Sequence, residues 1–303
     1  MSKVIVFGSL NMDLSIESDH MPQLGETIMG RGFITNPGGK GANQAVAAAR
    51  LGAEVVMLGA VGNDAFGDQM IAALAEQGVR CDLIGRVEDV PTGVALITRV
   101  GGDNFITIDS GANLSGDLDY VTEALDSEAR GGDVFLCQLE CDYETTMRAV
   151  VRAHERGMYT VVNPAPAREL CDWVYEHIDL VVVNENECET LTGVYPDTKE
   201  HTLAAIEVLE GRGVGAVAVT LGARGSIVRA NGQVLVSVPP KVEAIDTTCA
   251  GDTYIGALVA GYSHGLPIDE ALAIATEASA LATTRIGAQQ SIPLISEVKT
   301  PRA

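Results

Sequence analysis

Short apolar runs and helix-forming stretches alternate along this chain, and that rhythm limits its fold more than any other feature. Strands of the fully buried type are expected at residues 3–7, 55–58, 133–139, 159–163, 180–184 and 216–221. Helical spacing follows at 41–50, stopped by Gly52, and at 66–77, stopped by Gly78. Residues 254–264 put Ala257, Leu258, Ala260 and Gly261 at helical intervals before Gly265, and a long helix at 268–285 starts behind Pro267. Strands that are apolar throughout belong in a parallel sheet with helices on both faces, since parallel neighbours need a crossover that is usually helical. The expected class is therefore α/β, a three-layer α/β/α sandwich around a mostly parallel sheet. A composition 47% hydrophobic but only 4% aromatic, with 33 glycines, suits such a valine- and alanine-rich sheet.

Two stretches break the rhythm. Residues 14–35 and 92–110 read as strands without intervening helices, the second as a hairpin of 94–100 and 105–109 around Gly101-Gly102-Asp103-Asn104. Strands from two separated segments do not join the parallel sheet easily, so a small β lid over one edge is expected. No repeat, linker or low-complexity segment divides the chain, which reads as one domain over 1–303 with that lid.

The net charge of −21 argues against nucleic acid or an anionic membrane surface as partner. An anionic substrate would need local compensation from helix ends, a few basic residues or metal ions. The six cysteines (81, 137, 141, 171, 188 and 249) form no C-x-x-C pair and no zinc spacing. Residues 1–16 lack the long apolar core of a leader, and no apolar run approaches the ~20 residues of a membrane span. A reduced, cytoplasmic protein is expected.

Ligands of open parallel sheets bind beyond the carboxyl ends of the strands, and polar residues gather there. Asn11 and Asp13, two apart, face the same way on an extended chain. Gly39, Lys40 and Asn43 open a helix, and Glu140 follows the 133–139 strand. Such donors and acceptors suit a small polyol, although each alone is ordinary turn or cap chemistry. Asn184 and Glu187 begin a helix as Asn-x-x-Glu, a pairing able to order water around Mg²⁺. Thr220, Leu221, Gly222, Ala223, Arg224 and Gly225 form a tight turn whose amides and guanidinium suit phosphates, while Arg224 reads equally as a solvated surface charge.

Residues 246–253 read Asp-Thr-Thr-Cys-Ala-Gly-Asp-Thr between a strand-like and a helix-like segment. Free amides at a helix start hold anions, and small residues at 249–251 allow close approach. Asp252 stands where phosphate charge would gather, an odd place for a carboxylate unless it handles a proton; the plain alternative is a capped helix. Gly38-Gly39-Lys40-Gly41 is not a Walker loop, because Gly41 replaces its Ser/Thr. Gly213-x-Gly215-x-x-Ala218 precedes a strand, so it is no dinucleotide motif.

The Gly38–Ala45 run and the 246–253 run together, in this order and at this separation, resemble the ribokinase-type family of sugar kinases, and the likeness extends from Lys3 to Pro293. The resemblance implies a Rossmann-like α/β/α sandwich with a β lid and ATP-dependent phosphorylation of a pentose hydroxymethyl group, D-ribose at its 5-hydroxyl. It implies sugar contacts at Asn11, Asp13, Gly39, Lys40, Asn43 and Glu140. Asp252 would be the base, with an anion hole from the amides of Cys249, Ala250 and Gly251. ATP would lie along Asn184, Thr220 through Gly225, Gly251 and Thr276, with Glu187 assisting Mg²⁺. A K⁺ ion is implied beside Asp246, Thr248, Ala282, Arg285, Gly287 and Ser291, mostly through carbonyls. The family often has glycine where Cys249 stands; if that position needs a positive φ, the cysteine is strained by roughly 1 kcal/mol. Alternative outcomes are a kinase for 2-deoxyribose, adenosine or a hexose, or a sugar-binding regulator without chemistry. Pairing between two lids would give a homodimer.

Overall fold

The computed structural model describes residues 2–101 and 103–299. Gly102, in the expected hairpin turn, lies outside them, as do residue 1 and residues 300–303 of the expected domain. The chain opens with β1 (Val4–Phe7), then lid strands β2 (Asn11–Glu17) and β3 (Arg31–Gly38), helix α1 (Lys40–Arg50), β4 (Val55–Gly62), α2 (Ala65–Glu76) and β5 (Arg80–Val87). The lid continues with β6 (Gly93–Val100) and β7 (Asp103–Asp109). Then come α3 (Leu118–Glu128), β8 (Val134–Cys137), α4 (Tyr143–Glu155), β9 (Tyr159–Val162), β10 (Leu180–Val183), α5 (Glu185–Thr192), α6 (Lys199–Gly211) and β11 (Ala216–Thr220). A hairpin of β12 (Ser226–Ala230) and β13 (Gln233–Ser237) precedes α7 (Ala250–Ser263) and α8 (Ile268–Ala282).

The main sheet has nine strands in the order β13-β12-β11-β10-β9-β8-β1-β4-β5. Neighbours from β11 to β5 are parallel, and β12 and β13 add antiparallel at one edge. Alternation along each strand feeds two cores. Val4 and Val6 of β1 pack with α1, α2, α7 and α8, whereas Ile5 and Phe7 pack with α3, α4, α5 and α6. Full burial of such side chains stabilises the fold by roughly 1.5–3 kcal/mol each. The three-layer α/β/α class follows directly from that division.

The lid is a four-stranded sheet, β3-β2-β6-β7. It differs from expectation in its limits: strand pairing begins at Asn11 and runs on to Gly38, while residues 18–30 form no strand. Asn11 and Asp13 therefore sit on the lid's own first strand, at its junction with β1. The cause is pairing at long range, since β2 runs parallel to β6 from Asn11↔Gly93 to Glu17↔Arg99.

Small residues bring α1 and α7 together. A β-carbon at Gly256 would collide with Ala47 and with the Ala48 amide nitrogen and Gln44 carbonyl oxygen of α1. That close crossing sets the first turn of α7 beside the first turns of α1, at the carboxyl ends of the parallel strands. Among the described residues no helix is long and apolar enough to cross a membrane.

Candidate active site

Helix α7 starts without a side-chain cap, and its N-cap residue Cys249 lies in the left-handed region at φ 66, ψ 3. A β-carbon in that conformation costs about 1 kcal/mol. The Ala250 amide donates to the Thr247 carbonyl at 3.2 Å. Of the three amides expected to form an anion hole, those of Cys249 and Gly251 are without an acceptor among the described residues, whereas that of Ala250 has this one. Burial, and the Asp252 charge after it, push the Cys249 thiol well up, so it stays protonated. Asp252 occupies the same helical turn. Its Oδ1 accepts from Gln44 Nε2 at 2.9 Å and its Oδ2 from Asn43 Nδ2 at 3.1 Å.

The residues expected on the sugar converge next to it. Gly39 has φ 90, and a β-carbon there would lie 2.8 Å from the Asn11 amide nitrogen and the Ser9 carbonyl oxygen; one at Gly38 would collide with the Asp13 carboxylate. Glycine at both positions lets the β3–α1 turn press against β2. Asn11 is buried, and its Oδ1 accepts from Asn113 Nδ2 at 2.7 Å, while Asn113 Oδ1 accepts from the Leu10 amide at 2.8 Å. Asn11 is thereby left to present its own Nδ2 as a donor. Glu140 Oε2 accepts from Ser9 Oγ and, at 3.2 Å, from the Lys40 amide. Asp13 is pushed up to about 7, first by burial and then by the charges of Glu140 and Asp252. Burial would lower Lys40, but the carboxylates of Asp252, Glu140 and Glu187 outweigh it and hold the ammonium above its ordinary range.

Asn184 caps α5 in a reciprocal box. Its Oδ1 accepts from the Glu187 amide at 2.9 Å, and Glu187 Oε2 accepts from the Asn184 amide at 2.9 Å. Burial raises Glu187, opposed by hydrogen bonds from Asn184 and Asn163 and by the Lys40 charge. A cavity of about 230 Å³ is lined by Lys40, Asn184, Glu187, Thr220, Cys249, Gly251 and Asp252, among others. Through Thr220 and Gly251 it adjoins a larger cavity of about 550 Å³, where Gly222, Ala223, Gly225 and Thr276 line one part. Leu221 and Arg224 do not line it. Leu221 is buried, and the Arg224 guanidinium donates to the Asp197 carbonyl at 2.6 Å, the Pro196 carbonyl at 3.1 Å and Glu185 Oε1 at 3.2 Å. In this arrangement the Arg224 guanidinium, expected on phosphate, braces the loop at 196–197 against α5.

Of the residues expected around a monovalent cation, Asp246, Thr248 and Gly287 are joined. Asp246 Oδ1 accepts from the Thr248 amide at 2.9 Å and Oδ2 from the Gly287 amide at 3.0 Å. Burial would raise the Asp246 carboxyl, yet these donors hold it below the usual range. The Arg285 guanidinium is paired with Glu297 at 2.5 Å, Ser291 Oγ donates to the Ala288 carbonyl at 2.7 Å, and the Ala282 carbonyl accepts from the Arg285 amide at 3.2 Å. Those three residues therefore offer backbone, not side chains, to any ion.

Several site residues carry no signal in the sequence. Gln44, Gln138 and Asn163 form a buried amide chain behind Asp252. Asn113 fixes Asn11, and Pro239, Pro240, Lys241, Val242 and Thr283 line the larger cavity. Only Gln44 lies inside a motif that drew attention, one residue beyond Asn43.

The family model for pfkB family carbohydrate kinases matches residues 1–295. The chain is 40% identical to a ribokinase of Schizosaccharomyces pombe, covering 98% of this chain and 97% of the relative. It is 36% identical to a deoxyribokinase of Salmonella typhi, covering 97% and 96%. Its backbone is similar to that of Arabidopsis thaliana ribokinase complexed with ribose and ATP, with a TM-score of 0.89 at 30% identity, covering 98% of this chain and 97% of that one.

Proposed function

The chain belongs to the pfkB family of carbohydrate kinases, and from that premise we propose its reaction: transfer of the γ-phosphoryl group of ATP to the 5-hydroxyl of D-ribose, giving ribose 5-phosphate and ADP. The one observation that supports this best is the position of Asp252. It lines the smaller cavity with Lys40 and Glu187, it is hydrogen-bonded to Asn43 of the sugar wall, and it shares a helical turn with two bare amides.

Ribose hydroxyls donate to the carboxylates of Asp13 and Glu140 and accept from Asn11 Nδ2 and Lys40. ATP takes the larger cavity, its terminal phosphate reaching the smaller one past Gly251. Asp252 aligns the attacking hydroxyl and receives its proton late, as suits a loose transition state in which positioning and charge stabilisation do most of the catalysis. The amides of Cys249 and Gly251, with Lys40, offset charge on the transferred phosphoryl oxygens. The lid excludes water, which would otherwise accept the phosphoryl group.

Mg²⁺ bound with ATP neutralises phosphate charge. Both Glu187 oxygens already accept hydrogen bonds, from Asn184 and Asn163, so the carboxylate fits an ion's bound waters better than direct ligation. Among the described residues no cluster of three or more acidic, His or Cys side chains offers a cage, which suits an ion held chiefly by phosphate and water. K⁺ would be held by Asp246 and by backbone carbonyls of the 246–248 and 282–291 segments. Turnover should fall when K⁺ is replaced by a bulky organic cation, and unchanged turnover contradicts the site.

The lid exposes Ile34, Leu96, Phe105, Ile106 and Ile108, and β3 and β7 are its edge strands. Two lids pairing into a homodimer would cover this surface; a monomer mass in solution scattering at micromolar concentration speaks against it. All six cysteines are free, in keeping with a cytoplasmic enzyme.

The second reading is 2-deoxyribose as substrate, favoured by the deoxyribokinase likeness. Asn11 weighs against it. A buried amide left without its hydroxyl costs roughly 1–3 kcal/mol, or about 5- to 150-fold in preference. ADP release should be measured with ATP and a panel of ribose, 2-deoxyribose, hexoses and adenosine. Ribose is expected to give the highest kcat/KM, and a faster hexose or nucleoside would overturn the assignment.

A further inference from the structure

Gln44 is fully buried in a stretch of α1 that is buried all round, where its neighbours other than Asn43 are Ala42, Ala45, Val46, Ala47 and Ala48. An apolar side chain would pack there at no cost in desolvation. Instead the Gln44 carboxamide makes only side-chain contacts. Nε2 donates to Asp252 Oδ1 at 2.9 Å and to Asn163 Oδ1 at 3.1 Å, while Oε1 accepts from Gln138 Nε2 at 2.6 Å. Asn163 stands just past the carboxyl end of β9 and passes the chain on, its Nδ2 donating to Glu187 Oε2 at 3.3 Å. An unbroken run of buried amides thus links the carboxylate of α7 to the carboxylate of α5.

We propose that Gln44 is a positioning residue that aims the Asp252 carboxylate at the sugar hydroxyl and, through Asn163, sets it against Glu187. The inference rests on the reading of Asp252 as base. A carboxamide suits the task because it donates to the carboxylate without competing for the proton. With Oδ1 held by Gln44, the oxygen left facing the sugar wall is Oδ2, which is bonded to Asn43.

The test is the steady-state pH profile of Gln44→Leu and Gln44→Glu, with Asp252→Asn measured alongside. In Gln44→Leu, kcat should fall about 10- to 100-fold with the ribose KM within about threefold, because orientation and not sugar binding is lost. The acid limb of its kcat profile should move up by about one pH unit, since a donor to the ionised carboxylate is gone. Gln44→Glu keeps the shape and the bond from Gln138 but faces Asp252 with a second carboxylate, so its acid limb should move further. A Gln44→Leu enzyme with wild-type kcat, or with reduced kcat and an unmoved acid limb, overturns the proposal, because packing loss alone would leave the profile in place. If Gln44→Leu does not unfold cooperatively, the acid limb of Gln44→Glu decides in the same way. Asp252→Asn within a few-fold of wild type removes the base and this inference together. Asp252→Asn inactive beside an unaffected Gln44 pair removes the inference alone.

Discussion

Helices α5 and α7 both begin at the smaller cavity, and they begin in opposite ways. The N-cap of α5, Asn184, is extended at φ −88, ψ −176, and closes a capping box with Glu187. The N-cap of α7, Cys249, is left-handed, carries no side-chain cap and leaves its own amide and that of Gly251 bare. A side-chain cap stabilises a helix by about 1 kcal/mol, and α7 forgoes that while bearing a β-carbon strained by a similar amount. One helix spends its terminal hydrogen bonds on locking a carboxylate in place; the other leaves two amides open, as the proposed anion hole requires. A phosphoryl-transfer site needs both, since the same donors cannot cap a helix and stabilise incoming charge.

The contrast can be broken at several points. Asp252→Asn, at the open end, should lower kcat by about 10²–10⁴-fold, the usual range for a positioned proton acceptor, as read from initial rates of ADP release at saturating ribose. Glu187→Gln, at the closed end, keeps the shape of the capping box and should cost less, about 10-fold in kcat, with a higher Mg²⁺ concentration at half-activation; a loss as deep as that at position 252 would erase the distinction between the two helix ends.

Asp13 tests the sugar side through pH. Its folded value of about 7 lies above the ordinary carboxyl value of 3.8. The free protein therefore binds the extra proton between those limits, and the associated stability is present at low pH and lost as pH rises through about 7. If the ionised form receives the sugar hydroxyls, kcat/KM for ribose should climb across the same interval, and Asp13→Asn should flatten that limb while making thermal unfolding less pH-dependent. The smallest effect belongs to Cys249→Gly, which relieves the left-handed β-carbon and should raise stability by about 1 kcal/mol in denaturant titration. No gain, or a loss, would mean that the thiol's packing in its buried pocket outweighs the strain.

The parallel core was legible because strands such as Val4–Phe7 and Leu180–Val183 are apolar on both faces and admit no other placement. The β12–β13 hairpin was hidden by that rhythm, although Asn231-Gly232, both at positive φ, is the expected two-residue turn. The lid's first strand was cut short because its parallel partner lies some eighty residues away, beyond local patterning. Motif residues such as Asn43 and Asp252 stand out because glycine-rich helix starts narrow their role. Gln44, Asn113 and Asn163 do not, for a lone buried amide has no period and no local partner. Gln44 meets Asn163 across 119 residues, and Asn113 meets Asn11 across 102. The contacts of Arg224 were hidden for the opposite reason: a basic side chain beside a glycine turn looks like a phosphate ligand, and nothing local shows that a neighbouring loop supplies carbonyls for it.

A crystal structure of the protein with ribose and a non-hydrolysable ATP analogue measures the central point directly. An Asp252 carboxylate oxygen should lie about 2.6–3.2 Å from the ribose 5-hydroxyl oxygen, with the terminal phosphate against the Gly251 amide on the far side. A 5-hydroxyl held instead by Asp13 or Glu140, with Asp252 beyond hydrogen-bond reach, would contradict the account.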